Sequence, residues 1–147
     1  MSSPASNRIP ATTLVQGRAD GPTFVLEEPL SFWGGLDAAS GEIIDRRHTQ
    51  NGQFISGRVL VMTAGRGSSS GSSVLAEAIR LGTGPAGIVL LTRDAIVTVG
   101  AMVACELYER DCPIVLVQPA AWPQIVNSFR LVISAQGERG EITLLES

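Results

Sequence analysis

The stretch from Gly57 to Ile79 constrains the fold of this chain more than any other. Val59 to Met62 is a short apolar run, the pattern of a strand buried on both faces. Gly65, Gly67 and Gly71 follow in a loop rich in serine, where glycine lets the backbone turn freely and approach a ligand closely. Ser70, Ser72 and Ser73 are each placed to cap a helix beginning near Val74, whose Val74, Leu75, Ala78 and Ile79 share one face. Strand, glycine–serine loop and helix together bring backbone N–H groups, a helix N-terminus and several hydroxyls to one point. That arrangement suits an anion.

The rest of the chain bounds what such a unit serves. With 147 residues, 44% apolar and 17% charged, the chain is long enough for one globular domain with a real core. Apolar runs are interrupted by Asp94, Glu106 or glycine, so no membrane span is expected, and Met1 to Pro10 lacks the apolar core of an export signal. A cytoplasmic protein is the expectation. The net charge is −3 and all eleven basic residues are arginines, scattered singly apart from Arg46-Arg47, which disfavours nucleic acid. Cys105 and Cys112 read as reduced structural thiols, and with His48 as the lone histidine they form no metal-ligand pattern. Metal chemistry would have to come from another chain.

In chain order, residues 1–11 are expected to form a flexible tail and residues 12–147 a single domain without internal repeats. Thr12–Val15 and Thr23–Leu26 read as strands separated by a turn at Asp20-Gly21-Pro22, and Gly41–Asp45 as a third strand. Pro29-Leu30-Ser31-Phe32-Trp33-Gly34-Gly35 reads either as a turn that plugs the core or as a segment whose Gly34 and Gly35 form a backbone wall of a pocket or a docking surface. From Gly57 onward, apolar strands at Val59–Met62, Gly87–Leu91, Ile114–Val117 and Leu131–Ile133 alternate with helical segments at Val74–Leu81, Ile96–Glu109 and Trp122–Asn127. A closing strand follows at Gly140–Leu145. The alternation predicts an α/β fold, a β-rich N-terminal part joined to a small parallel sheet with crossover helices. Ile96–Leu107 is apolar nearly all round, which predicts a helix covered on more than one side.

Several readings of the loop compete. A nucleotide-triphosphate loop requires a lysine for the outer phosphates, and the chain has none. Gly67-Ser68-Ser69-Ser70-Gly71 matches a nucleophile elbow with Ser69 as nucleophile, but the only histidine precedes it, against the triad order of that fold. Gly65, Gly67 and Gly71 followed by Asp94 loosely match a dinucleotide site with a ribose-binding acid, yet roughly eighty residues after Gly67 are too few for both halves. The serines also read simply as helix caps and polar filler, which would leave an anion-binding regulatory module rather than an enzyme.

The remaining reading takes the serines as chemistry. Gly65-Arg66-Gly67-Ser68-Ser69-Ser70 resembles the loop of the aconitase superfamily's swivelling domain. With Pro29 to Gly35, Gly41-Glu42-Ile43-Ile44-Asp45, His48, Gly57-Arg58-Val59-Leu60 and Gly100-Ala101, the chain resembles the small, swivel subunit of the aconitase X family over roughly Thr12 to Val117. The resemblance implies a β/β/α swivel domain that serves a hydro-lyase. It implies Ser68 as catalytic base and Arg66, Gly67, Ser69 and Ser70 as substrate-binding residues. It also implies a large aconitase-like partner carrying an iron–sulfur cluster that accepts the hydroxyl, with no cofactor bound by this chain. Two-subunit members of that family include cis-3-hydroxy-L-proline dehydratases and phosphomevalonate dehydratases. In aconitase an arginine follows the two serines, whereas Ser70 stands there here, which turns the expectation away from tricarboxylates. A small hydroxylated monocarboxylate such as hydroxyproline fits better, with phosphomevalonate as the alternative.

Overall fold

A computed structural model describes residues 7–65, 67 and 69–146. Its strands are β1 (Arg8–Val15), β2 (Gly17–Val25), β3 (Leu36–Asp37), β4 (Glu42–Ile43), β5 (Val59–Met62), β6 (Gly87–Leu90), β7 (Ile114–Leu116), β8 (Arg130–Gln136) and β9 (Arg139–Leu145). The helices are α1 (Phe32–Gly35, a kinked turn), α2 (Ser70–Leu81), α3 (Ala95–Tyr108) and α4 (Trp122–Val126). Seven strands close into a barrel in the order β1-β7-β6-β5-β2-β8-β9, while β3 and β4 pair as a small separate sheet. Strands β5, β6 and β7 run parallel, as the alternation of strand and helix predicts, but the fourth parallel strand is β2 of the N-terminal part. Strand β8, expected in that set from Leu131–Ile133, runs antiparallel to β2 and β9, and β1 and β9 complete the ring with antiparallel pairings. The expected front and α/β unit are thus one barrel.

The two faces of the parallel strands bury different side chains. Val59, Val61, Val89 and Val115 point into the barrel with Leu131, Ile133, Ala135 and Ile142. Leu60, Met62, Ile88, Leu90 and Ile114 point outward, where they pack with Leu75, Ala78 and Ile79 of α2 and Val97, Ala101 and Ala104 of α3. Compact β-branched valines fill the narrow interior, and longer side chains fill the layer beneath the helices. This double burial is why these strands read as continuous apolar runs.

The structure corrects several expectations. Asp20-Gly21-Pro22 is no turn but lies inside β2, paired with Val132, Leu131 and Arg130 of β8. Pro22 is tolerated because the ladder with β5 begins only at Thr23, so a missing N–H costs nothing there. Gly21 is needed because a Cβ would come within 2.6 Å of the Gly57 carbonyl. Residues 8–11, expected within a flexible tail, instead pair with Thr143, Ile142, Glu141 and Gly140 of β9, and residues 1–6 of that expected tail lie outside the described residues. The strand expected at Gly41–Asp45 shrinks to Glu42–Ile43. Helix α2 starts at Ser70 rather than near Val74, and neither its N-cap residue Ser69 nor any expected serine caps it through a side chain. Helix α3 is covered on one side only: Val99, Met102, Val103 and Leu107 form a bare apolar stripe, with Leu107 68% exposed.

Candidate active site

Parallel strands place the loops that follow them at one end of the sheet, where α/β proteins collect ligands. Three such passages meet here. After β2, residues 26–31 continue alongside β5, the Leu26 N–H donating to the Val61 carbonyl at 2.9 Å, and deliver Ser31. After β5 comes the glycine–serine loop. After β6 comes Asp94, the N-cap of α3. The latter two are stitched together by the Thr92 N–H, which donates to the Thr63 carbonyl at 2.9 Å, and by the Gly65 N–H, which donates to Asp94 Oδ2 at 2.6 Å.

Gly67 takes φ +106°, a conformation that side-chain-bearing residues rarely adopt, and a Cβ there would run into the Ser31 hydroxyl. The Ser31 hydroxyl itself donates to the Trp33 carbonyl at 3.1 Å. The aromatic pair splits its roles. Phe32 is buried in the core, while Trp33 stands 62% exposed beside Gly34, whose φ is +79°. The core-plugging reading of Pro29 to Gly35 therefore holds for Phe32.

The beginning of α2 is wedged between α1 and α3. A Cβ on Gly71 would lie 3.1 Å from Ile96 Cγ2 and 3.6 Å from Phe32 Cβ. The Ser72 hydroxyl donates to the Ile96 carbonyl at 2.7 Å, so this serine ties two helices together instead of capping one. One helical repeat further along, Gly100 lets α3 approach the Ser72 carbonyl, which a Cβ would meet at 2.8 Å. Gly100-Ala101 is thus a crossing point for two helices.

Of the five expected site residues, Gly67, Ser69 and Ser70 lie together on the exposed lip of this loop. Arg66 and Ser68 lie outside the described residues. The N-terminus of the twelve-residue α2 begins at the same lip, a favourable setting for negative charge.

His48 is no surface residue. It is 5% exposed, its Nδ1 accepts from the Gln50 N–H at 3.1 Å, and its Nε2 faces the Glu28 carbonyl at 3.1 Å. Acceptance at Nδ1 leaves the proton on Nε2, which donates to Glu28. Gln50 adds two further ties, accepting from the Glu27 N–H and donating to the Val25 carbonyl. His48 and Gln50 thereby brace the passage that carries Ser31 to Gly67. Asp94 is likewise not a free ribose-binding acid. Its Oδ1 accepts from the N–H groups of Ile96 and Val97 at 2.9 and 3.1 Å, and Oδ2 is taken by Gly65. An aspartate just ahead of an apolar run signals a helix cap in sequence; its reach back to the loop does not show there.

Both cysteines are free thiols. Burial, reinforced by the Asp111 charge, pushes the Cys112 thiol up to about 12, so it stays protonated and is a poor metal ligand. Among the described residues, no three His, Cys, Asp or Glu side chains converge on a point where a metal would sit. None of their helices is long and apolar enough to cross a membrane.

The aconitase X swivel domain family matches residues 8–144. The cis-3-hydroxy-L-proline dehydratase of Pseudomonas aeruginosa is 49% identical over 102 residues, covering 69% of this chain and 18% of that protein. The enzyme of that name from Hypocrea jecorina is 38% identical over 131 residues, 89% of this chain and 22% of its own length. The chain thus spans only about a fifth of these two relatives. The phosphomevalonate dehydratase small subunit of Pyrococcus furiosus is 34% identical over 132 residues, 90% of this chain and 91% of that one. A chain of the crystal structure of Thermococcus kodakaraensis aconitase X in its holo-form superimposes with a TM-score of 0.75 at 28% identity, covering 95% of this chain and 98% of that one. By family match and by fold, this chain is a member of the aconitase X swivel-domain family.

Proposed function

We propose that this chain is the small subunit of a two-subunit hydro-lyase, active only with a large aconitase-like partner. The observation that carries the reading is the family match over residues 8–144 together with relatives named as dehydratases or their small subunits. In this reading Ser68 is the base. A proton next to the substrate carboxylate moves to its oxygen, a hydroxyl leaves the neighbouring carbon, and a double bond forms between the two. Serine is a weak base in water. The amides of the Gly67–Ser70 turn and the N-terminus of α2 would favour its alkoxide, as an oxyanion hole does. Arg66, Gly67, Ser69 and Ser70 would hold the carboxylate. The resemblance implies an iron–sulfur cluster carried by the partner, which would accept the departing hydroxyl. Two free thiols suit a cytoplasmic setting.

The substrate we favour is cis-3-hydroxy-L-proline, because the Pseudomonas enzyme of that name is 49% identical against 34% for the Pyrococcus small subunit. One observation supports phosphomevalonate as a second reading: the chain matches 91% of the length of that separate subunit. The test is to reconstitute the chain with a large subunit and offer both substrates. Turnover of hydroxyproline by the mixture and by neither part alone is expected. Turnover of phosphomevalonate alone would transfer the reading to the second substrate. A mixture that assembles but turns over neither would favour an anion-binding regulatory module.

A further inference from the structure

We infer that Asp94 is a positioning residue for the glycine–serine loop, acting through its bond to the Gly65 amide. The inference rests on the reading of that loop as the place of proton abstraction. Asp94 is separated from Gly65 by a strand, a helix and a turn, yet its carboxylate joins them. Capping α3 occupies only Oδ1, which accepts from the N–H groups of Ile96 and Val97. Oδ2 is not needed for the cap and instead accepts from the Gly65 N–H at 2.6 Å, a short bond of the charge-assisted kind. The backbone of Asp94 is fixed as well, since the Thr98 hydroxyl donates to its carbonyl at 2.7 Å. Gly65 has no Cβ to hold it off, because one would meet Oδ2 at 2.5 Å. The orientation of α3 therefore sets where the loop leaves β5. Displacing a catalytic group by an ångström costs up to a hundredfold in rate, so a brace of this kind has a kinetic signature.

Asp94→Asn separates the brace from the cap. The asparagine Oδ1 still accepts from the two helix amides, which leaves its NH2 group facing the Gly65 N–H, donor against donor. Flipping the amide would sacrifice two bonds to save one. In the reconstituted two-subunit enzyme, Asp94→Asn is expected to lower kcat by about tenfold to a hundredfold with KM within about threefold of wild type. In the isolated chain, hydrogen exchange of the Gly65 amide should quicken at least about tenfold, as one bridging bond of this strength is lost. Asp94→Ala, which loses cap and brace together, should lower the melting temperature more than twice as far as Asp94→Asn. A kcat within about twofold of wild type for Asp94→Asn, or an unchanged Gly65 exchange rate, would overturn the assignment. If the wild-type complex has no dehydratase activity, the reading of the function fails, while the Gly65 exchange rate still decides whether Asp94 holds the loop.

Discussion

Replacing Gly100 by alanine sets two effects of known sign against each other. Gly100 lies in the interior of α3, where helix propensity alone favours alanine by about 1 kcal/mol. The structure opposes this. The new Cβ would lie 2.8 Å from the Ser72 carbonyl and 3.2 Å from both Leu75 Cβ and Leu75 Cδ2. Ordinary contact begins at 3.4 Å, so α2 and α3 must part by about 0.6 Å, and the nearest obstacle is backbone that no rotamer change moves aside. A gap of that size forfeits a quarter to a half of the dispersion attraction across the interface. It also stretches the Ser72–Ile96 bond, now 2.7 Å, which is worth about 1 kcal/mol. Overpacking in such places costs about 1–3 kcal/mol. With the lost bond added and the propensity gain subtracted, a net destabilisation of about 1–3 kcal/mol is expected, a fall of roughly 3–9 °C in Tm for a domain of this size. Urea unfolding should show a lower midpoint at an unchanged slope. Gly100→Ala as stable as wild type, or more so, would refute the close crossing.

Three further outcomes follow from burial. Cys112 titrates at about 12 in the folded chain against a reference of 9.0, so between those pH values the unfolded state has lost a proton that the folded state keeps. Its contribution to stability is complete below pH 9 and falls as pH rises toward 12, by up to about 4 kcal/mol, a loss that Cys112→Ala should abolish in alkaline melts. At pH 8 an alkylating reagent should label half-buried Cys105 well before Cys112 in the native protein. His48→Ala removes both ring nitrogens from a buried position and leaves the Gln50 N–H and the Glu28 carbonyl without partners. A loss of about 2–4 kcal/mol in urea unfolding is expected, and a loss below about 0.5 kcal/mol would contradict the bracing role.

What sequence reading reached, and what it missed, divides along physical lines. Val59–Met62, Gly87–Leu90 and Ile114–Leu116 are legible because both their faces are buried, which leaves uninterrupted apolar runs. In β8 only alternate residues, Leu131, Ile133 and Ala135, are buried, so just its centre showed. Asp20-Gly21-Pro22 has the local chemistry of a turn, and only pairing with β8, more than a hundred residues away, makes it a strand. Closure of the barrel by β1 and β9 joins the two ends of the chain and leaves no local mark. The apolar circumference of α3 announces burial without saying by what, and this chain covers only one side. At the site, glycine spacing marked the loop between β5 and α2. The arrival of Ser31 and Asp94 beside it depends on which strands are neighbours, and no motif within the loop records that.

The most direct test of the central claim is the turnover of the two-subunit complex carrying Ser68→Ala, measured beside a sedimentation check that the subunits still associate. Loss of the base should lower the dehydration rate by at least about a thousandfold while assembly is unchanged. A Ser68→Ala complex that dehydrates its substrate at the wild-type rate would contradict the account.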